Sequence, residues 1–138
     1  TPSHPIPTPS HSTRSQNASS HLTLQGGYTC HTGFGSGGGV LAANQSSLRL
    51  VGVGFVRCKA LDRGGGLCID SSATANLVGS TFQWCKCLWG GGAIAVALPG
   101  SDVHASGVAI TACTALRGGG ILIEQGGSAS MIGCSIQR

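Results

Sequence analysis

The chain has 138 residues with a net charge of +4, and only 9% of its residues are charged, whereas 24 are glycine. This length predicts a single domain, and so thin and scattered a positive charge argues against a nucleic-acid-binding domain, which usually has a concentrated basic face. The glycine content disfavours a helical protein, because each glycine costs about 1 kcal/mol in a helix interior. No segment reaches the roughly 18 apolar residues that a membrane span needs.

Residues 1–21 form a segment rich in Pro, Ser, Thr and His, and no apolar period runs through it. This composition is typical of a disordered or extended linker, because it offers too little apolar surface to form a core. The pattern changes at Leu22, where a degenerate repeat unit begins. We therefore expect a linker over 1–21 and a repeat domain over 22–138 that is truncated at its carboxyl end, as in a piece of a longer protein.

Four runs of three glycines divide the repeat domain, and they start at positions 37, 64, 90 and 118. A period of 26–28 residues indicates a solenoid in which each repeat is one coil. Glycine adopts backbone angles that other residues avoid, so we expect the runs to form the same sharp corner in each coil. The corner glycines are Gly37, Gly38, Gly39, Gly64, Gly65, Gly66, Gly90, Gly91, Gly92, Gly118, Gly119 and Gly120.

Aligning the repeats on these runs places chemically similar residues in the same columns. Apolar residues alternate with a period of two, as at Leu48 and Leu50, which is typical of strands. Period and alternation together predict an all-β fold, a parallel β-helix of about four coils with three short strands in each coil and about 4.8 Å between coils. The aligned columns are Gly52, Gly79, Gly107 and Gly133; Phe55, Phe82, Ile110 and Ile136; and Cys58, Cys85 and Cys113.

Two short motifs carry a resemblance to a known family. Residues 91–94 are Gly-Gly-Ala-Ile, and the segments Phe55-Val-Arg-Cys58 and Phe82-Gln-Trp-Cys85 follow the pattern F-x-x-C. Over residues 22–138 the chain resembles the chlamydial polymorphic outer-membrane-protein repeat, with its motifs G-G-A-I and F-x-x-N. The resemblance implies a right-handed parallel β-helix in a secreted or surface-exposed, often adhesive protein. Cysteine stands where the motif has asparagine, so no ladder of amide-to-amide hydrogen bonds is expected.

The seven cysteines allow three interpretations. Members of the Cys58, Cys85 and Cys113 column should have Cα atoms about 4.8 Å apart, inside the disulfide window of about 4.4–6.8 Å, although in-register Cβ atoms lie farther apart than a disulfide prefers. A ladder of small buried thiols is the favoured interpretation, followed by disulfide staples between coils and by a metal site that includes Cys85 and Cys87. We predict no metal ion and no cofactor.

The four acidic residues are few for catalysis. Counted from the glycine runs, Asp70 and Glu124 share a column with Ala43 and Val96 and would lie two coils apart, roughly 9–10 Å. This separation barely reaches the range of about 6.5–9.5 Å for an inverting glycosidase, and Val96 between the two acids would not hold a water molecule. We therefore predict no catalytic residues.

A basic and aromatic column precedes the glycine runs at Arg63, Trp89 and Arg117. Stacking would place the Trp89 indole between two guanidinium groups, a cation–π arrangement worth about 0.5–1 kcal/mol at an exposed site. Lys86 forms another basic column with Lys59. Such a face is suited to a sugar ring or an acidic polysaccharide; the alternative is that it only keeps the solenoid soluble. The predicted glycan or partner contacts are Arg63, Trp84, Lys86, Trp89 and Arg117.

A further apolar column is expected to point outward. Side chains alternate between the two faces of a strand, and the residue before each member of this column is expected to point inward. Its predicted members are Leu41, Cys68, Ile94 and Leu122. An outward apolar column marks an interface or lies beneath another segment of the chain.

These expectations describe a non-catalytic β-helix fragment that is extracellular or exposed on a cell surface. Its predicted work is to display a rigid surface to a polysaccharide or to the surface of a host or neighbouring cell, beside neighbouring coils of the full-length protein. A fragment of a polysaccharide lyase or glycoside hydrolase is the first alternative, because missing coils would supply further acids. A purely structural spacer is the second. No nucleic-acid partner is expected.

Overall fold

A computed structural model describes residues 13–14, 21–29 and 37–138, and the regular structure within these ranges is β-strand without helix. No helix able to cross a membrane is therefore found in that part of the chain. The strands are β1 (Thr13–Arg14), β2 (His21–Thr29), β3 (Val40–Ala42), β4 (Ser47–Val56), β5 (Lys59–Ala60), β6 (Leu67–Ile69), β7 (Thr74–Val78), β8 (Thr81–Gln83), β9 (Lys86–Cys87), β10 (Ile94–Ala97), β11 (Asp102–Ser106), β12 (Ala109–Thr111), β13 (Ile121–Glu124), β14 (Ser128–Ile132) and β15 (Ser135–Gln137).

Each strand pairs in parallel with the equivalent strand of the next coil. The first sheet has the order β1-β3-β6-β10-β13, and the second has the order β14-β11-β7-β4-β8-β12-β15, with β2 also paired to β4. Strands β5 and β9 form a small third sheet. The long strand β4 supplies two sides of its coil, whereas the later coils divide that stretch into two strands. The predicted parallel β-helix of about four turns is confirmed.

The register of the first sheet corrects the predicted alignment by one residue in one coil. Val40 pairs with Leu67, Leu67 with Ile94 and Ile94 with Ile121, so successive partners are 27 residues apart. Gly90, predicted to open the third corner, lies one position before it. The corner glycines with positive φ, from which we number coils 1 to 4, are Gly37, Gly64, Gly91 and Gly118.

Each position of the glycine corner excludes a side chain for a different reason. At the first position φ is positive, 69° at Gly64, where a residue with a Cβ is strained. At the second, a Cβ on Gly65 would overlap the carbonyl oxygen of Gly92 in the next coil. At the third, a Cβ on Gly66 would lie 2.7 Å from the Phe82 ring. The corner therefore needs three consecutive glycines where the core carries phenylalanine.

The third corner position holds alanine in coil 3, at Ala93, which is fully buried. In that coil the residue paired with Phe82 is Ile110, whose side chain is smaller than a phenyl ring. The third glycine run is therefore out of phase with the corner, because its last glycine, Gly92, occupies the second corner position.

Aromatic stacking fills the centre of the core. Phe55 and Phe82 stack with ring centroids 4.5 Å apart and planes 6° apart, and both side chains are fully buried. The pairing continues from Phe82 to Ile110 and then to Ile136, which confirms the predicted apolar column. Burial decreases toward coil 4, where Ile136 is 54% exposed.

The apolar column predicted to point outward lies beneath the glycine corner. Its third member is Ala95, whereas Ile94, predicted for that position, points into the core. The backbone of the corner passes directly over the column. A Cβ built on Gly91 would lie only 2.9 Å from the Ala95 methyl group. The column is therefore covered mainly by its own chain. Its members are Leu41, Cys68, Ala95 and Leu122.

The predicted linker over 1–21 lies mostly outside the described residues. Within it, β1 pairs in parallel with β3, and His21 is the first residue of β2. Strand β2 pairs with β4 and extends the second sheet by one coil before the first full glycine corner.

We expect Gly65→Ala to destabilise the domain far more than Gly79→Ala. The methyl group at Gly65 would overlap backbone oxygens, whereas nothing lies within 4 Å of the equivalent position at Gly79 and only the strain of φ 60° is added. The expected losses in free energy of unfolding are more than about 3 kcal/mol at Gly65 and about 1–2 kcal/mol at Gly79. Urea denaturation followed by circular dichroism measures both. Equal losses would contradict the contact argument.

Candidate functional site

An exposed face is built where the third side of each coil approaches the glycine corner. Side chains there alternate between inward and outward positions, so the outward side chains of successive coils stack in columns. The columns pair Arg57 with Trp84, Lys59 with Lys86 and Leu61 with Leu88. We call this surface the tryptophan face; it consists of Arg57, Lys59, Leu61, Trp84, Lys86, Leu88, Trp89, Leu116 and Arg117.

Trp84 and Arg57 form a stacked pair on this face. Both occupy the same corner of adjacent coils in the left-handed conformation, with φ of 54° and 56°. The Arg57 guanidinium lies over the indole, 4.7 Å from the ring centroid, and Trp84 is still 50% exposed. Arg57 is not among the predicted contacts. The sequence carried a signal for it, because Arg57 and Trp84 each directly precede a cysteine of the aligned column.

The predicted column of Arg63, Trp89 and Arg117 is wrong in register. Gly90 pairs with both arginines and stands between them, because the third glycine run begins one residue before its corner. Trp89 nevertheless contacts Arg117, whose guanidinium lies 5.4 Å from the ring centroid. Only one of the two predicted cation–π contacts of Trp89 therefore forms.

Arg63 turns away from the tryptophan face toward Glu124. Its Nε donates to Oε2 of Glu124 at 2.7 Å, two coils along the solenoid. The intervening coil contributes Gly90 beside Arg63 and Ala97 beside Glu124, and these small residues let the arginine side chain pass. Arg63 is therefore neutralised by an ion pair and is not part of the tryptophan face.

Lys59 and Lys86 are paired in register on adjacent coils. Their Cα atoms are therefore about 4.8 Å apart. Both residues are exposed, and neither has an ion-pair partner among the side chains of residues 37–138. Like charges at this spacing repel each other, so an anion held between the two ammonium groups would be stabilised.

The acidic residues within 37–138 are dispersed. Asp70 and Glu124 share a column two coils apart, but the residue between them is Ala97 and not Val96, as the one-residue correction in coil 3 requires. Glu124 is held by its arginine partner. Asp102 lies on β11, where its carboxylate accepts hydrogen bonds from neighbouring side chains. The two carboxylates of the Asp70 column therefore do not face a shared water position.

The cysteine column lies on the inner side of the corner that carries Trp84. The thiol of Cys85 donates to the Phe55 carbonyl oxygen of the preceding coil at 3.6 Å, and Cys113 donates to Phe82 in the same way at 3.6 Å. These thiols thus bond to backbone carbonyls where an asparagine ladder would bond amide to amide. Cys58 takes part in a disulfide, whereas Cys85 and Cys113 are thiols.

Cys87 occupies a second inward column and is flanked by alanines. Its partner across the β5–β9 ladder is Ala60, and burial raises the pKa of its thiol, with a smaller contribution from the nearby Asp62 carboxylate. In the described part of the chain, no three His, Cys, Asp or Glu side chains are grouped so that they could hold a metal ion.

No family model, no curated protein and no solved structure matches this chain. The family resemblance of the G-G-A-I and F-x-x-C segments therefore stays a prediction.

We expect the domain to lose stability above about pH 9, and we expect Cys87→Ala to reduce that loss. Burial holds the pKa of the Cys87 thiol above its ordinary value of 9.0 in the folded chain. Above that pH the unfolded chain releases a proton that the folded chain keeps, so the free energy of unfolding falls by up to about 1.4 kcal/mol per pH unit for this thiol. Urea denaturation at neutral pH and near pH 10, without oxygen, measures the effect.

The Cys87→Ala variant should fold normally, because Ala60 occupies the same column in the preceding coil. The comparison uses only the difference in pH dependence between the variant and the unchanged chain, so the titration of other groups cancels. Identical pH dependence in the two proteins would show that Cys87 ionises as easily in the folded chain as in the unfolded one.

Proposed function

We propose that this chain is a non-catalytic β-helix surface that binds acidic polysaccharide through the tryptophan face. One observation carries the proposal. Lys59 and Lys86 are stacked on adjacent coils without an ion-pair partner among the described side chains, beside the half-exposed indole of Trp84. Unpaired cations next to an open aromatic ring suit a ligand that is both anionic and ring-shaped.

The two parts of the face contact two parts of such a ligand. An indole packs against the apolar C–H face of a sugar ring, while ammonium groups pair with its carboxylate or sulfate groups. Arg57 covers part of the Trp84 ring and adds a third cation at 4.7 Å from the ring centroid. The remaining indole surface and the two lysines form the contact that we propose for one or two sugar units.

The solenoid gives the face its rigidity. Trp84, Lys59 and Lys86 lie on or beside strands whose backbone hydrogen bonds to the next coil are 2.8–3.0 Å long. A rigid surface loses little conformational entropy when a ligand binds, so weak contacts repeated along a polymer add up to useful affinity. This arrangement supports a polymer as the ligand, in preference to a free monosaccharide.

Location is part of the same proposal. Cys58 takes part in a disulfide, and disulfides persist mainly in oxidising compartments outside the cytosol. This bond supports an extracellular or cell-surface site of action, where acidic polysaccharides are exposed.

A protein partner is the second candidate. Leu61, Leu88 and Leu116 form an exposed apolar ridge on the tryptophan face, with exposed fractions of 54%, 70% and 73%. A contiguous exposed apolar ridge favours contact with another protein surface. A sugar chain would leave most of this ridge uncovered, so the ridge is the feature that distinguishes the two candidates.

We expect the chain to bind polygalacturonate and to bind it more weakly after Trp84→Ala or after the double change Lys59→Gln with Lys86→Gln. Loss of the indole contact should weaken binding roughly two- to tenfold, the equivalent of about 0.5–1.5 kcal/mol. Loss of both ammonium groups should weaken it by a similar factor and reduce its dependence on salt. The quenching of tryptophan fluorescence during titration measures the dissociation constant at several salt concentrations.

Arg49→Gln is the matched control, because Arg49 is an exposed cation on β4, outside the tryptophan face. The control should bind within twofold of the unchanged chain. Equal losses for Arg49→Gln and for either lysine changed singly to Gln would show that binding follows net charge and not this face. Reducing ends released during the same incubation would overturn the non-catalytic part of the proposal, and Asp70→Asn would then be the first variant to assay.

A further inference from the structure

One turn of coil 1 carries a sequence motif that the equivalent turns of coils 2 to 4 lack. Asn44-Gln45-Ser46 matches the acceptor motif for N-glycosylation, Asn-x-Ser with x other than proline. The three residues lie between β3 and β4, where the chain passes from the first sheet into the second. The Ser46 amide donates to the Ala43 carbonyl oxygen at 3.2 Å, which closes a four-residue turn. The motif therefore has a defined place in the fold.

The asparagine of this turn is accessible to solvent. Asn44 and Gln45 are both exposed, and both have positive φ, of 57° and 63°. Ser72, which occupies the place of Gln45 in coil 2 and has a described coil on each side, is exposed as well. The outward position is therefore a property of the turn, and a group attached to Nδ2 of Asn44 would extend into solvent.

The conformation of the turn does not by itself require the residues of the motif. Asparagine tolerates positive φ better than most residues, but Ser71 in coil 2 and Gln125 in coil 4 adopt the same conformation with φ of 55° and 54°. Ser46 is buried, and the equivalent residue of coil 2 is Ala73, which is buried without a hydroxyl group. A role in folding therefore does not account for both the asparagine and the serine.

The motif also recurs at the period of the coils. Asn17-Ala18-Ser19 precedes Asn44-Gln45-Ser46 by 27 residues, the interval that separates Thr13 from its partner Val40 in the first sheet. Residues 17–19 lie outside the described part of the chain. A chance triplet has no reason to fall at the coil period, so the spacing supports a function for the motif.

We propose that Asn44 is the acceptor of an N-linked glycan. In the transfer, C1 of the first sugar moves from the pyrophosphate oxygen of a lipid-linked oligosaccharide to Nδ2 of Asn44. The C1–O bond breaks and leaves its electron pair on the lipid pyrophosphate, the C1–N bond forms, and the amide loses one proton. The lipid-linked donor and its transferase belong to the secretory pathway, so the inference rests on the extracellular or cell-surface location proposed above.

The burial of Ser46 sets the order of glycosylation and folding. The transferase requires the hydroxyl of the third motif residue as well as the asparagine, but in the folded chain Ser46 is buried and its hydroxyl donates to the Ala43 carbonyl oxygen. Transfer therefore precedes the folding of coil 1, which then buries Ser46 and leaves Asn44 outside. The glycan stands between the first and second sheets, away from the tryptophan face, so the glycan and a ligand of that face are compatible.

The test produces the full chain behind a cleavable secretion signal in a eukaryotic cell line, with Asn17→Gln in every version so that one acceptor motif remains. Peptide-N-glycosidase in water labelled with heavy oxygen converts a glycosylated asparagine to labelled aspartate, which peptide mass spectrometry locates. We expect the label at position 44 in most of the secreted chain. The folded chain should release the glycan without denaturant, because Asn44 is exposed.

Ser46→Ala is the matched control, because it removes the motif, keeps Asn44 and copies the buried Ala73 of coil 2. This variant should carry no label at Asn44. Asn44→Ser copies Ser71 of the same turn in coil 2 and should leave the chain without the glycan.

Two results would overturn the inference. The first is an unmodified Asn44 beside an intact Ser46, in the secreted chain and in the chain retained inside the cells. The second is a label at Asn44 that persists after Ser46→Ala. Both fractions of the chain are analysed, so neither result depends on how efficiently a variant folds and is secreted. Neither result depends on polysaccharide binding, so failure here is distinct from failure of the proposed function.

Discussion

Close backbone contact between successive coils at the glycine corner is the constraint on which the rest of this structure depends. The amides of Gly64 and Gly65 donate to the carbonyl oxygens of Gly90 and Gly91 at 2.9 Å, and a Cβ at the second corner position would enter the space of the next coil. With side chains excluded there, the coils approach to strand spacing and stay in register. The outward side chains of successive coils, including Lys59 and Lys86, are therefore aligned in the same register.

A second corner also has positive φ, but in coils 1 and 2 it is formed by large residues and not by glycine. Arg57 and Trp84 adopt positive φ, a conformation that costs a non-glycine residue on the order of 1–3 kcal/mol. The cost is offset by burial of the next residue in each coil, Cys58 or Cys85, which points inward and is fully buried. In coils 1 and 2 this corner therefore presents a large side chain to solvent and a small polarizable one to the core, whereas Ala112 holds the exposed position in coil 3.

The sequence was sufficient for the fold and for most columns, but it left the register of coil 3 wrong by one residue. Glycine runs predicted the period, and the Phe55–Phe82 spacing predicted the core, because both depend on local chemistry repeated at a fixed interval. Trp89 was misplaced because the alignment was fixed on the first glycine of each run. The constant spacing of 27 residues from Gly64 to Gly91 and from Gly91 to Gly118 was the signal that would have corrected it.

The contacts that cross two coils were not accessible from the sequence. The Arg63–Glu124 ion pair depends on small residues in the coil between them and on the direction of a long side chain, neither of which a column alignment specifies. Because Arg63 and Glu124 neutralise each other, neither charge is free to contact a ligand or substrate. The same contact therefore weakens the case for catalysis at Glu124 and leaves Lys59 and Lys86 as the stacked lysines of the tryptophan face.

The tryptophan face and the cysteine column meet at one corner of the solenoid, because Trp84 and Cys85 are consecutive residues, one exposed and one buried. The thiols of Cys85 and Cys113 each donate to a carbonyl oxygen of the preceding coil and so tie successive coils together at this corner. A ligand that bridges Trp84 and the lysines of adjacent coils gains affinity from a fixed spacing, since less motion is lost when it binds. The inward thiols therefore help to set the coil-to-coil distance on which the proposed recognition at the surface depends.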